Sequence, residues 1–218
     1  MRDYPRIMDF HVHSTFSDGF HSLSDVATAA IQNQVQELCF TDHYSEFKPS
    51  LDFSTLGDYI EGITEVKKRY SSQVQIHHGI EIDMTSNLSL SKLLDHSWDL
   101  ILFEYVFTTN AWENNFTFVC QLKKEYPNLR VGLAHPNLTR LRSERLVSVL
   151  EAIQSLQIVV EANANYRNYL NPWFANLDDG FSFSIGSDSH DSSRVGKVLD
   201  VLEFFRQSNI SDKCIIQL

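Results

Sequence analysis

Cysteine is scarce in this sequence: Cys39, Cys120 and Cys214 are the three present in 218 residues. Their number is odd, their spacing is wide and no CxxC pair occurs. Neither a disulfide framework nor a structural zinc knuckle is indicated. Cys39 lies in the apolar run Leu38-Cys39-Phe40 and reads as a small core residue. Long apolar runs are missing too. None approaches the roughly 20 residues that span a bilayer, and the opening MRDYPRIMDFHVHS lacks the apolar core of a signal peptide. The expectation is a cytoplasmic protein with no membrane contact. Positive charge is in short supply as well, with 18 Lys and Arg against 28 Asp and Glu and a net charge of -10. Long nucleic acid needs basic surface to neutralise its phosphates and is disfavoured as a partner. Solubility accounts for most of the acidity, and carboxylates that bind divalent cations would offset part of it.

What remains is an ordinary globular composition, 43% hydrophobic and 21% charged. The length suits one domain over residues 1–218. Seven short apolar segments read as strands: Ile7–His11, Glu37–Thr41, Gln75–Ile82, Leu100–Tyr105, Arg130–His135, Ile158–Asn163 and Phe183–Ser187. Several have few polar interruptions, as parallel strands covered on both faces do. Helical patterns alternate with them. One opens at Ser24 with Ser22 or Ser24 as its cap and runs to Ile31. Others cover Leu56–Tyr70, Phe116–Tyr126, Ser143–Leu156 with Ser143 as cap, and Val195–Phe205. This alternation predicts an α/β fold. An eight-unit barrel takes about 250 residues, so a reduced barrel of seven units fits better. A doubly wound open sheet is the alternative. Residues Asn163–Asp179, rich in Asn and aromatics, read as a loop beside a site or as ordinary surface.

Polar residues collect where the strands end. The first strand leads into His11-Val12-His13, and residues two apart on a strand share a face, so both imidazoles aim at one point. Asp18 follows in a Ser-Asp-Gly turn, which alone reads as a turn-forming Asp. The second strand ends in Thr41-Asp42-His43, the third carries Gly79-Ile80-Glu81, the fifth ends in Ala134-His135-Pro136 and the seventh in Gly186-Ser187-Asp188-Ser189-His190. Singly, each reads as a capping or loop residue. Together they place His, Asp or Glu on the face where barrel strands converge. Imidazole nitrogen with carboxylate oxygen suits zinc, manganese or iron. Eight such groups exceed what one tetrahedral ion takes and indicate two or three divalent ions.

The ordered segments HVHSTFSDG, TDH, GIE, AHP and GSDSH, spread over nearly the whole chain, resemble the signatures of the PHP (polymerase and histidinol phosphatase) superfamily. The resemblance implies a distorted (β/α)7 TIM-like barrel with two or three metals at the C-terminal ends of its strands. It implies His11, His13, Asp18, His43, Glu81, His135, Asp188 and His190 as metal ligands, with Glu81 bridging. The chain departs from the family at its fourth strand, where a His is usual. Here the sequence reads Asp99-Leu-Ile-Leu-Phe-Glu104-Tyr105. Glu104 is either a substitute ligand or a buried, paired acid.

The remaining charged and aromatic residues divide less sharply. Asp42 faces away from His43 and orients a ligand from behind. His21, His77, His78 and His96 match no ligand position and read as surface or packing residues. Phosphate calls for a planar, permanently charged donor. Arg167 stands first, since its segment resembles the family's basic stretch after the sixth strand; Arg194 and then Arg140 follow. Each reads equally as a solvated surface charge. The aromatic stretches Trp112–Phe118 and Tyr166–Phe174 shape a pocket, pack over the barrel or form a subunit contact. By the resemblance, the expected activity is hydrolysis of a small phosphomonoester by metal-activated water, with L-histidinol phosphate the first candidate. His190 or His13, where not fully committed to metal, would protonate the leaving oxygen. A nucleotide phosphatase or nuclease, and a non-catalytic metal-binding regulatory module, are the alternatives.

Overall fold

A computed structural model describes residues 6–87, 90, 93–166, 180–208 and 214–218. Eight strands form one sheet: β1 (Met8–Val12), β2 (Glu37–Phe40), β3 (His43–Tyr44), β4 (Gln75–Asp83), β5 (Leu100–Glu104), β6 (Val131–Leu133), β7 (Val159–Asn163) and β8 (Ser182–Gly186). They run β1-β2-β4-β5-β6-β7-β8, with β3 also on β4, and every named pairing is parallel. The sheet returns on itself: His13 N donates to Ser189 O at 2.9 Å and Asp188 N to His11 O at 2.9 Å. β2 lies within the predicted strand Glu37–Thr41, and the chain resumes pairing as β3 after a break at Thr41-Asp42. The result is the predicted barrel of seven strand positions, not the open sheet.

Helices α1 (Leu23–Gln32), α2 (Leu56–Tyr70), α3 (Trp112–Glu125), α4 (Ser143–Leu156) and α5 (Leu199–Gln207) alternate with the strands. Each buries an apolar stripe; α2 buries Leu56, Tyr59, Ile63 and Val66. Fully burying one such side chain is worth about 1.5–3 kcal/mol. Ser22 caps α1 in a reciprocal capping box with Asp25. For α4 the expected cap moves: Arg142 stands at the N-cap without a side-chain bond, and Ser143 is the first helical residue. Tyr59 explains the break between β2 and β3. Its buried hydroxyl donates to Gly79 O at 3.0 Å and accepts from Asp42 N at 3.2 Å, so helix α2 takes up the backbone group the ladder releases.

The last helix starts four residues later than its pattern predicts, at Leu199 and not Val195. Gly196 is the cause. It sits at φ +75°, a left-handed conformation cheap only for glycine. There its N–H donates to Asp9 Oδ2 at 2.7 Å. Asp9 also accepts from Ser187 N at 2.8 Å and from Ser187 Oγ at 2.6 Å, tying β1 to the exit of β8. Asp9→Asn would turn an amide donor toward a donor already there. The expected cost is on the order of 2 kcal/mol, read from urea unfolding monitored by circular dichroism. Among the described residues no helix is long and apolar enough to cross a membrane.

Candidate metal centre

Residues on β1, β3, β4, β5, β7 and the loop after β8 converge at the C-terminal mouth of the barrel. Parallel register does the placing: His43 pairs with Glu81, and Asp83 with Glu104. Tyr105 (φ 59°), His135 (φ 30°) and Asp188 (φ 51°) all leave their strands in the left-handed region. For residues with a Cβ this costs on the order of 1–3 kcal/mol each, and all three lie at the mouth.

The sequence-predicted ligands come together. His11 Nε2 lies 3.0 Å from His13 Nε2, 3.2 Å from Glu81 Oε2 and 3.5 Å from Asp188 Oδ1. His13 Nε2 lies 3.2 Å from Asp188 Oδ1. His43 Nδ1 is 2.8 Å from Glu81 Oε2 and 3.4 Å from Glu104 Oε1. Its Nε2 is 3.5 Å from Asp18 Oδ1, which is 3.1 Å from His190 Nε2. His135 Nε2 is 3.2 Å from Glu81 Oε1, so Glu81 spans the group as a bridging carboxylate would. All but Asp18, His135 and His190 are buried.

These groups are close without being aligned. Both oxygens of Glu81, His13 Nδ1, His43 Nδ1, Asp18 Oδ1 and Glu104 Oε1 are buried and make no hydrogen bond of good geometry. Opposite charges this near would normally line up a proton between them. Here the donor atoms point at shared space. Three sets, His13 with Asp18, His43 and His190, His11 with His13 and Glu81, and His43 with Glu81 and Glu104, each have ligand atoms within 4.8 Å of one another. The residues fit divalent metal ions held by nitrogen and oxygen.

The charge distribution agrees. Burial opposes protonation of His11, yet Glu161, Glu81 and Asp188 hold its pKa well above the usual imidazole value. Burial is likewise outweighed at His43, where Glu81 and Glu104 lift the pKa to about 10. His13 goes the other way, to about 3, because burial is reinforced by the charge of His43 and His11. Asp18, half buried, is drawn down to about 2 by His190 and His43 against its burial.

The partners behind the cluster were less visible in the sequence. Glu161 Oε1 lies 2.7 Å from His11 Nδ1, and its Oε2 accepts from His135 N at 2.6 Å. A carboxylate behind an imidazole fixes its tautomer and turns the other nitrogen to the site. Asp188 O does this for His190, 3.2 Å from Nδ1. Gly186 makes the Glu161 contact possible: a Cβ there would overlap Glu161 Oε1 and come within 2.5 Å of His11 Cβ. Glu161→Gln is expected to weaken metal affinity about 10–100-fold while leaving the fold intact, as measured by titration calorimetry beside a thermal melt. Asp42 braces the loop after β1. It accepts from Ser14 N at 2.7 Å, Ser14 Oγ at 2.9 Å and Ser17 Oγ at 2.6 Å, holding the loop that carries Asp18.

Lys48 had no signal at all. Its Nζ lies 2.5 Å from Glu104 Oε1, 3.3 Å from His43 Nε2 and 5.2 Å from the centre of the Tyr105 ring. Glu104 is thus both buried and paired, and still within reach of His43. Burial disfavours the ammonium form, but Glu104 keeps the Lys48 pKa above its ordinary value.

Other residues take plainer places. His77 lies between Glu37 and Asp99, His78 beside Asp99, and His96 edge-on to Trp98. His21 accepts from Ser192 N at 3.3 Å. Trp112 and Phe116 pack on Phe107, and Phe118 on Phe103, so that aromatic stretch covers the barrel. Arg140 donates to Thr108 O at 3.2 Å and lines a cavity of about 90 Å³ with His135, Tyr105 and Tyr166. Arg194 contacts Asn165, whose Nδ2 donates to Asp188 O at 3.0 Å, so it stands at the rim of the site. Arg167 and most of Tyr166–Phe174 lie outside the described residues.

A family model described as PHP domain matches residues 9–192. A histidinol-phosphatase of Lactococcus lactis subsp. lactis (strain IL1403) is 30% identical over 92 residues, which are 40% of this chain and 34% of that protein. The match thus spans about a third of the curated relative. Among solved structures, the L. lactis histidinol phosphate phosphatase complexed with zinc, L-histidinol and phosphate superposes with a TM-score of 0.67 at 17% identity, covering 94% of this chain and 95% of that one. YwqE of Bacillus subtilis and CpsB of Streptococcus pneumoniae, described as metal-dependent tyrosine phosphatases, give 0.58 at 18% identity over 95% and 89%. At such identities the superpositions speak for the fold.

Proposed function

This chain belongs to the PHP domain family, and on that premise we propose that it is a metal-dependent phosphoesterase acting on small phosphomonoesters. The observation that carries the reading is the buried set of converging, unaligned donors around Glu81. His11, His13, Glu81 and Asp188 are suited to hold one ion, and Asp18, His43 and His190 another. When bound, divalent ions supply Lewis-acid chemistry, polarising phosphoryl oxygens and making water nucleophilic near neutral pH.

The protein's own groups divide the remaining work. Glu161 keeps His11 in one tautomer. Arg194 at the rim is suited to meet the phosphate dianion, since guanidinium pairs with it bidentately. His190 is the better general acid of the two candidates. Its side chain is 33% exposed and that of His13 fully buried. Interaction with Asp18 and Asp188 raises the His190 pKa against burial, whereas His13 is kept neutral. A His190 not ligated to metal would be the group that gives a proton to the leaving oxygen.

Relatives named histidinol-phosphatase make L-histidinol phosphate the first substrate to try. The test is phosphate release from a panel of monoesters that includes L-histidinol phosphate, nucleoside monophosphates and aryl phosphates. Preference for L-histidinol phosphate is expected. Preference for nucleotides would reassign the substrate class, and no release from folded, metal-loaded protein would contradict the reading.

A further inference from the structure

Glu104, buried at the end of β5, is paired with a lysine. The geometry points to Lys48 as a built-in cation that takes the place of one metal ion, so that this chain binds two divalent ions and not three. The inference rests on the metal-site reading above.

Lys48 enters the candidate set of His43, Glu81 and Glu104 through Glu104, at 2.5 Å from its Oε1; its 3.3 Å contact with His43 is to Nε2, the nitrogen that faces Asp18, and not to the Nδ1 that faces Glu81 and Glu104. An ammonium at that distance occupies the space a divalent ion would use, and repels one by its charge. The lysine is held there. Its side chain is 20% exposed and lies near the Tyr105 ring. Its loop is pinned at both ends: Ser45 Oγ donates to Asp83 Oδ2 at 2.7 Å, Ser50 Oγ to Ser45 O at 2.5 Å, and Leu51 N to His43 O at 2.8 Å.

The test counts ions. Protein is stripped with chelator, loaded with excess manganese or zinc, desalted and analysed by plasma mass spectrometry, with a thermal melt to show that it is folded. Wild type is expected to hold about two equivalents. Lys48→Met, and Lys48→Met combined with Glu104→His, should each rise to about three, while Lys48→Arg stays at the wild-type count. Three equivalents in wild type, or no rise in either Met variant, overturns the inference. Wild type that is folded but holds no metal overturns the metal-site reading itself, whereas three ions with intact turnover overturns only the role given to Lys48.

Discussion

His11→Ala is expected to abolish the proposed metal-dependent phosphate release. The expected loss in kcat/KM is on the order of 10³-fold or more, about 4 kcal/mol of barrier. His11 sits where three kinds of contact meet: Glu161 behind it, His13 beside it, Glu81 and Asp188 in front. Removing the imidazole takes away a nitrogen donor and leaves Glu161 buried without the partner of its Oε1 apart from Asn163 Nδ2. Its Oε2 keeps the His135 backbone, so the fold should survive. Steady-state kinetics on reconstituted protein checks this, with circular dichroism confirming structure. A variant retaining more than a tenth of wild-type turnover would remove His11 from the site.

Metal affinity rises steeply with pH. In the metal-free protein His11 and His43 hold protons at neutrality, because carboxylates raise their pKa values, that of His43 to about 10. Imidazole must lose its proton to bind a metal, so loading both positions expels two protons. Each expelled proton changes the overall constant about tenfold per pH unit, or about 100-fold for two. The slope should fade as pH approaches about 10, where His43 gives up its proton without metal. Calorimetry in buffers of different ionisation enthalpy counts the protons directly.

The metal-free fold follows a different curve. The raised pKa of His43 contributes stability that is complete below its unfolded value of 6.5 and is lost as pH climbs toward about 10. His13, lowered to about 3, subtracts stability as pH falls below 6.5, since only the unfolded chain takes up that proton. Asp18 adds a further loss below its unfolded 3.8, as pH falls toward about 2. The apo protein should therefore melt highest near pH 6.5, and metal should add more to the melting temperature at pH 8 than at pH 6. Equal metal-induced shifts at the two pH values would contradict the protonation pattern.

What was legible in the sequence was periodic. His11 and His13, like Asp188 and His190, stand two apart, and a strand or its extension puts such pairs on one face. Alternation of apolar runs and helical stripes gave the barrel, and the ordered motifs gave the residues that gather at its mouth. Glu161 stands out in the sequence as well. It is a charged residue in the otherwise apolar Val159-Val160-Glu161-Ala162, as Glu81 is in its own strand. Asp9 is similar, two residues before His11 on the same face. Lys48 was illegible. It lies in a loop, and only tertiary closure brings it to Glu104, 56 positions away along the chain. The late start of α5 was hidden for a related reason: its apolar pattern runs through Gly196, but a long-range bond to Asp9 takes that backbone out of the helix.

The central claim is that this cluster, once loaded, hydrolyses a phosphomonoester. The direct measurement is phosphate release from L-histidinol phosphate by chelator-stripped protein titrated with manganese or zinc. Turnover should be absent without metal, grow with the metal bound and saturate when the cluster is filled. Release that is unchanged by chelation, or no release at full metal occupancy with any monoester, would contradict it.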